Sequence, residues 1–113
     1  MYCYVWSFVV RPEYSQAFRK AYGPDGDWVR LFRRDPEYVR TEFLGDRDDP
    51  TRFVTIDFWT SREACLRFRE RFRSEFDALD KSFEPLTLKE VHFGDFEVLD
   101  GSILSGNPVA ERR

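Results

Sequence analysis

Residues 2–10, YCYVWSFVV, set the tightest limit on how this chain can fold. Side chains alternate along a strand, so Tyr2, Tyr4, Trp6 and Phe8 share one face and Cys3, Val5, Ser7 and Val9 the other. Both faces are largely apolar, which places this strand at the centre of a sheet, covered on both sides. No basic segment precedes it and no small-residue cleavage site follows promptly, so it reads as a strand and not as a signal peptide.

The rest of the chain follows in regular order. Pro12 opens a helix, where its missing N–H costs little. Tyr14, Ala17, Phe18, Ala21 and Tyr22 make its apolar stripe, and Gly23 ends it. Gly23, Pro24 and Gly26 then break the chain. Asp27 caps a short segment presenting Trp28, Leu31 and Phe32, stopped by Asp35-Pro36. Residues 37–44 and 52–59 read as two strands of a hairpin joined by GDRDDP. Thr60-Ser-Arg-Glu63 reads as a capping box, with the Thr60 hydroxyl accepting from the Glu63 N–H. The helix it opens is expected over 61–79, with a stripe of Cys65, Phe68, Phe72, Phe76 and Leu79. Its outer face offers the i, i+4 pairs Glu63–Arg67, Arg71–Glu75 and Arg73–Asp77. A loop over 80–85 leads to a fourth strand over 86–98, with a bulge at Gly94. Residues 1–99 form one domain, and 100–113 a tail that is mobile or an arm onto a partner.

The order β-α-β-β-α-β is the ferredoxin-like α+β pattern: a four-stranded antiparallel sheet with two helices on one face. The uncovered face is expected to carry Tyr4, Trp6, Phe8, Phe53 and Trp59. That is too large an apolar patch to leave in water. A homodimer closing a barrel-like cavity between two sheets would cover it. Thr55, Asp57 and Trp59 would then line this cavity. On the fourth strand Val91 and Phe93 are expected on the helix side, which turns Glu90 and His92 into the cavity as well.

Composition narrows the function. A net charge of -3 argues against a dedicated nucleic-acid binder. No run approaches the roughly 20 apolar residues of a membrane span. One histidine and two distant cysteines, Cys3 and Cys65, leave zinc without a ligand set, and reduced core thiols point to the cytoplasm. RFRERFR (67–73) alternates in sign and reads as a solvated face. GPDGD is acidic and lacks the spacing of a dinucleotide fingerprint. The aromatic share is high, with 12 Phe, and suits a cavity for a flat apolar ligand.

Three stretches carry a family resemblance. These are Val9-Val10-Arg11-Pro12-Glu13 with Phe18, Asp57-Phe-Trp59-Thr-Ser61-Arg-Glu-Ala64, and Glu90 through Gly94-Asp-Phe96. Over roughly residues 2–98 the chain resembles the antibiotic biosynthesis monooxygenase superfamily of dimeric α+β barrels. The resemblance implies a cofactor-independent monooxygenase acting on a polycyclic phenol or quinol-type aromatic. The alternative is a non-catalytic small-ligand-binding or accessory barrel, and a third is a proton-transfer enzyme such as an isomerase. Many members place a histidine nine residues after the tryptophan of the second stretch, where this chain has Phe68. The haem-degrading branch combines Asn, Trp and a helix His. Here the one asparagine is Asn107 and the one histidine is in strand four.

Oxygenation without a cofactor needs a base, a cavity that orients the ring, and exclusion of water. Asp57 and His92 are the candidate catalytic groups, with Tyr4, Trp6, Thr55 and Trp59 as candidate substrate-binding residues. Burial would raise the Asp57 pKa towards that of a useful base. Against this stands, for Asp57, an ion pair with Arg40 or another arginine or a structural bond to a strand neighbour, and for His92 an ordinary hydrogen-bonded interface role. Trp28 is read either as a gate at the cavity mouth or as an anchor beneath the first helix.

Overall fold

The computed structural model describes residues 1–99; the expected tail lies outside the described residues. The strands are β1 (Tyr2–Val10), β2 (Tyr38–Gly45), β3 (Arg52–Trp59) and β4 (Thr87–Glu97). They form one sheet in the order β2-β3-β1-β4, every neighbouring pair antiparallel. β1 is therefore central, as its two apolar faces require. The helices are α1 (Ser15–Tyr22), α2 (Asp27–Phe32), α3 (Arg62–Arg71) and α4 (Arg73–Phe83), with single 3-10 turns at Pro12–Tyr14 and Glu84–Leu86. This is the expected ferredoxin-like α+β arrangement.

One expectation is overturned. The face bearing Tyr2, Tyr4, Phe8, Phe53 and Trp59 does not look outward; it packs against the helices in the main core with Phe18, Phe32 and Phe68. The reason is volume. A helix layer stands well off a sheet, and large rings fill that gap better than the small residues opposite. The rings interlock: Phe8 meets Phe18 at 5.2 Å, Phe18 stacks on Tyr22 at 4.2 Å, and Trp59 meets Phe68 at 4.9 Å. The open face instead carries Val5, Ser7, Val54 and Ile56, each half-buried. Val91, Phe93 and Phe96 of β4 are exposed, Phe93 to 67%. The expected inward turn of Val91 and Phe93 is thus corrected, since Val91 pairs with Ser7.

The predicted single helix over 61–79 is also corrected. It divides at Phe72, whose backbone leaves the helical region (φ -109°, ψ 27°), and resumes as α4. Phe72 is buried, so the break lets both halves follow the curved core. The N-cap is Ser61, whose side chain accepts from the Ala64 N–H at 3.1 Å. Thr60 donates to Glu37 instead. Arg73 pairs with Glu70 at 3.1 Å and Arg34 reaches Glu75 at 3.6 Å, in place of the expected Arg73–Asp77 and Arg71–Glu75 pairs.

The bulge at Gly94 is present. The register shifts between Val5, opposite Gly94, and Trp6, opposite His92. Gly94 has φ 158°, and a Cβ there would come within 2.9 Å of the Phe96 ring, so the position favours glycine. Among the described residues no helix is long and apolar enough to cross a membrane.

Candidate functional site

The interlocked rings leave part of the interlayer space unfilled. A cavity of about 250 Å³ lies there, between the sheet and the helices of a single chain. Its floor comes from β1 and β3: Tyr4, Trp6 and Phe8 with Thr55 and Asp57, joined by Thr41 of β2. Its roof comes from Tyr22, Trp28, Phe32, Arg69 and Phe76. Asp80 and Glu90 complete the wall.

Strand register sets the polar end. Asp57 stands opposite Tyr4 on β1 and opposite Thr41 on β2, so three polar side chains meet at one level of the sheet. Thr41 donates its hydroxyl to Asp57 Oδ1, and the Tyr38 hydroxyl lies 2.6 Å from the same Thr41 oxygen. Asp57 is only 6% exposed. Burial pushes its carboxyl up to about 7, against the pull of the Thr41 bond and the Arg69 charge. Burial, followed by the Asp57 charge, also holds the Tyr4 hydroxyl well above its ordinary value, so it stays protonated. The Arg69 guanidinium lies 5.7 Å from the Tyr4 ring centre and 4.7 Å from that of Phe76.

Glu90 is raised by burial and further by Asp80 and Glu84, while the Thr87 hydroxyl, donating at 2.9 Å, opposes this. The buried indole N–H of Trp28 has no partner among the described residues, nor has that of Trp59.

Of the residues singled out from the sequence, Asp57, Tyr4, Trp6 and Thr55 converge on the cavity. Trp59 and His92 lie outside its wall. Trp59 is completely buried and packs edge-on to Phe32 and Tyr38 at 5.8 and 5.4 Å. His92 lies on exposed β4, its ring 5.3 Å from that of Trp6 and its Nε2 2.6 Å from Asp95 Oδ1. The Asp95 carboxylate also accepts from the Tyr2 hydroxyl at 2.8 Å. Arg40 does not pair with Asp57; it bonds Glu42 at 3.1 Å and covers the Phe58 ring on the other face. Trp28 both packs against Tyr22 at 6.1 Å and lines the cavity.

Sequence reading passed over Thr41 and Arg69. Thr41 was findable, since pairing the hairpin strands sets it across from Asp57. Arg69 was hidden in a charge run that reads as solvated. Among the described residues no three His, Cys, Asp or Glu side chains cluster as a metal site.

The sequence pattern of the antibiotic biosynthesis monooxygenase family matches residues 1–78. SnoaB of Streptomyces nogalater, a cofactor-independent oxygenase, superposes with a TM-score of 0.66 at 24% identity, covering 88% of this chain and 93% of its own. A candidate antibiotic biosynthesis monooxygenase of Deinococcus radiodurans gives 0.70 at 11% identity, over 88% and 94%. PA3566 of Pseudomonas aeruginosa gives 0.64 at 16% identity, over 87% and 93%. At these identities the likeness is one of fold. No protein of curated function matches the chain.

Proposed function

Since the chain belongs to the antibiotic biosynthesis monooxygenase family, we propose that it is a small cofactor-independent monooxygenase of a polycyclic phenol or quinol-type aromatic. The single observation that carries this reading is Asp57, a buried carboxyl raised to about 7 in the wall of an aromatic cavity. A general base is most effective when its pKa lies near the working pH. At about 250 Å³ the cavity sits just below the usual range of about 300–1,000 Å³ for small-molecule sites, which suits a compact fused-ring system.

In the proposed reaction Asp57 takes a proton from an acidic ring CH₂ flanked by phenol-bearing rings, leaving a delocalised carbanion. That carbanion gives one electron to O₂, and the resulting radical pair combines into a C–O–O bond. Protonation gives the hydroperoxide, and loss of water leaves C=O where CH₂ stood. One oxygen atom enters the product and the other leaves as water, so no outside reductant is needed. Arg69 supplies positive charge for the substrate oxyanion, and the protonated Tyr4 hydroxyl can donate to it. Trp6, Phe8 and Phe76 hold the ring and keep water away.

The second reading, a barrel that binds a small aromatic without turnover, draws on the Thr41 bond, which already satisfies one Asp57 oxygen. Oxygen uptake on a panel of anthrones and hydroquinones separates the two. Uptake supports the oxygenase; ligand binding seen by tryptophan fluorescence with no uptake supports the binder.

The protein is proposed to work as a homodimer joined through the open sheet faces. Support comes from the apolar residues left there, Val5, Val54, Ile56, Val91 and Phe93. The substrate cavity is then internal to each chain, and the interface is made by the opposite side of the sheet. Two free buried thiols, Cys3 and Cys65, support a cytoplasmic setting.

A further inference from the structure

We infer that Tyr38 and Thr41 form a proton relay connecting Asp57 to water through the sheet edge, a device that serves the oxygenase reading given above. The relay is a chain of three oxygens. Asp57 Oδ1 accepts from the Thr41 hydroxyl, and the Tyr38 hydroxyl oxygen is 2.6 Å from Thr41 Oγ1. Thr41 has one proton. While it donates to an ionised Asp57, Tyr38 must be the donor in the second bond. When Asp57 holds a proton the directions reverse: the carboxyl donates to Thr41, Thr41 to Tyr38, and Tyr38 outward. Both hydrogen-bonded directions are available without moving a heavy atom.

Position supports the same role. Asp57 is 6% exposed, and its direct approach is through the cavity that the substrate would fill. Tyr38 and Thr41 are only half-buried and belong to β2, the edge strand. A carboxyl caught protonated when a ring closes over it can thus discharge: the proton on Asp57 passes to Thr41, the Thr41 proton to Tyr38, and the Tyr38 proton to water. Each step makes one O–H bond and breaks one. The other groups facing Asp57 are Tyr4 from β1, and Arg69 and Cys65 from α3. Tyr4 and Cys65 are both buried, and the Arg69 guanidinium has no acceptor, so none of them carries a proton from Asp57 to the sheet edge.

The test is a pH jump on the whole protein with 2-naphthol saturating the cavity, following the protonated carboxyl of Asp57 by time-resolved infrared spectroscopy. Tyr38→Phe and Thr41→Val should slow its equilibration at least tenfold, and Thr41→Ser should restore it. Static titration separates relay from packing. Thr41→Val raises the Asp57 midpoint by about one unit, through loss of a donor to the carboxylate, whereas Tyr38→Phe leaves it nearly unchanged. Equal rates in the parent protein, Tyr38→Phe and Thr41→Val would overturn the relay. This readout needs no turnover, so a protein that consumes no oxygen yet shows the slowed exchange would defeat the oxygenase reading and leave the relay standing.

Discussion

Thr41 donates its hydroxyl to Asp57 across the β2–β3 pair, at the register position where the two residues face each other. This bond stabilises the ionised carboxyl, while burial favours the neutral one. Burial prevails, and the carboxyl is raised to about 7 from 3.8. Stability should therefore depend on pH in a particular direction. Between about 4 and 7 the folded protein holds a proton on Asp57 that the unfolded chain has released, so this contribution is complete below 4 and is lost as pH rises through 7. Asp57→Asn should remove that loss, leaving the variant more stable than the parent at pH 8 by about 2–4 kcal/mol and nearly equal at pH 4. Urea unfolding at both pH values checks this. Asp46, Asp49 and Asp95, all held low, add the opposite slope to both proteins and cancel in the difference.

Trp59 and Trp6 should separate stability from binding. Trp59 is fully buried among Phe32, Tyr38 and Phe68, so Trp59→Ala should cost about 3–5 kcal/mol in chemical denaturation. Trp6 is half-buried on the cavity wall, and Trp6→Ala should cost about 1–2 kcal/mol. It should nevertheless weaken binding of a hydroxylated naphthalene at least tenfold, read by calorimetry.

Much of this was legible in the sequence, and the failures have physical causes. Alternation correctly put Tyr4, Trp6, Thr55 and Asp57 on one face, because the period of a strand is fixed. It could not say which side the helices take, since both faces of β1 are apolar. Side-chain volume was the missing discriminator: aromatic rings match the Phe18, Phe32 and Phe68 stripe, whereas Val5, Val54 and Ile56 do not fill so deep a gap. Trp59 shares the Asp57 face but lies at the strand end, beneath Phe68 rather than beside the cavity. The break at Phe72 left no Gly or Pro to announce it, and the cap fell one residue later than expected because Thr60 bonds Glu37.

The open sheet face should hold the proposed dimer together. Ile56→Asp places a charge at its middle, opposite Val5 of β1 and Glu42 of β2. Sedimentation at micromolar concentration should show a dimer for the parent and a monomer for Ile56→Asp, with an unchanged circular dichroism spectrum. A monomeric parent would contradict the dimer.

The acidic wall should select ligand charge. Asp80 and Glu90 line the cavity opposite a lone Arg69, so carboxylated aromatics should bind more weakly than neutral ones of the same size. Glu90→Gln should narrow that difference several-fold in fluorescence titrations at pH 8, and leave neutral ligands little changed.

If the proposed function holds, Asp57 acts as the base in an oxygen-consuming reaction inside one chain. The most direct measurement is oxygen uptake with 1,8-dihydroxyanthrone, set against the protein-free rate and against Asp57→Asn. The expected result is one O₂ consumed per ketone formed, a rate that rises with pH through about 7, and a loss of at least a hundredfold in Asp57→Asn while the variant stays folded. An Asp57→Asn protein as fast as the parent would contradict it.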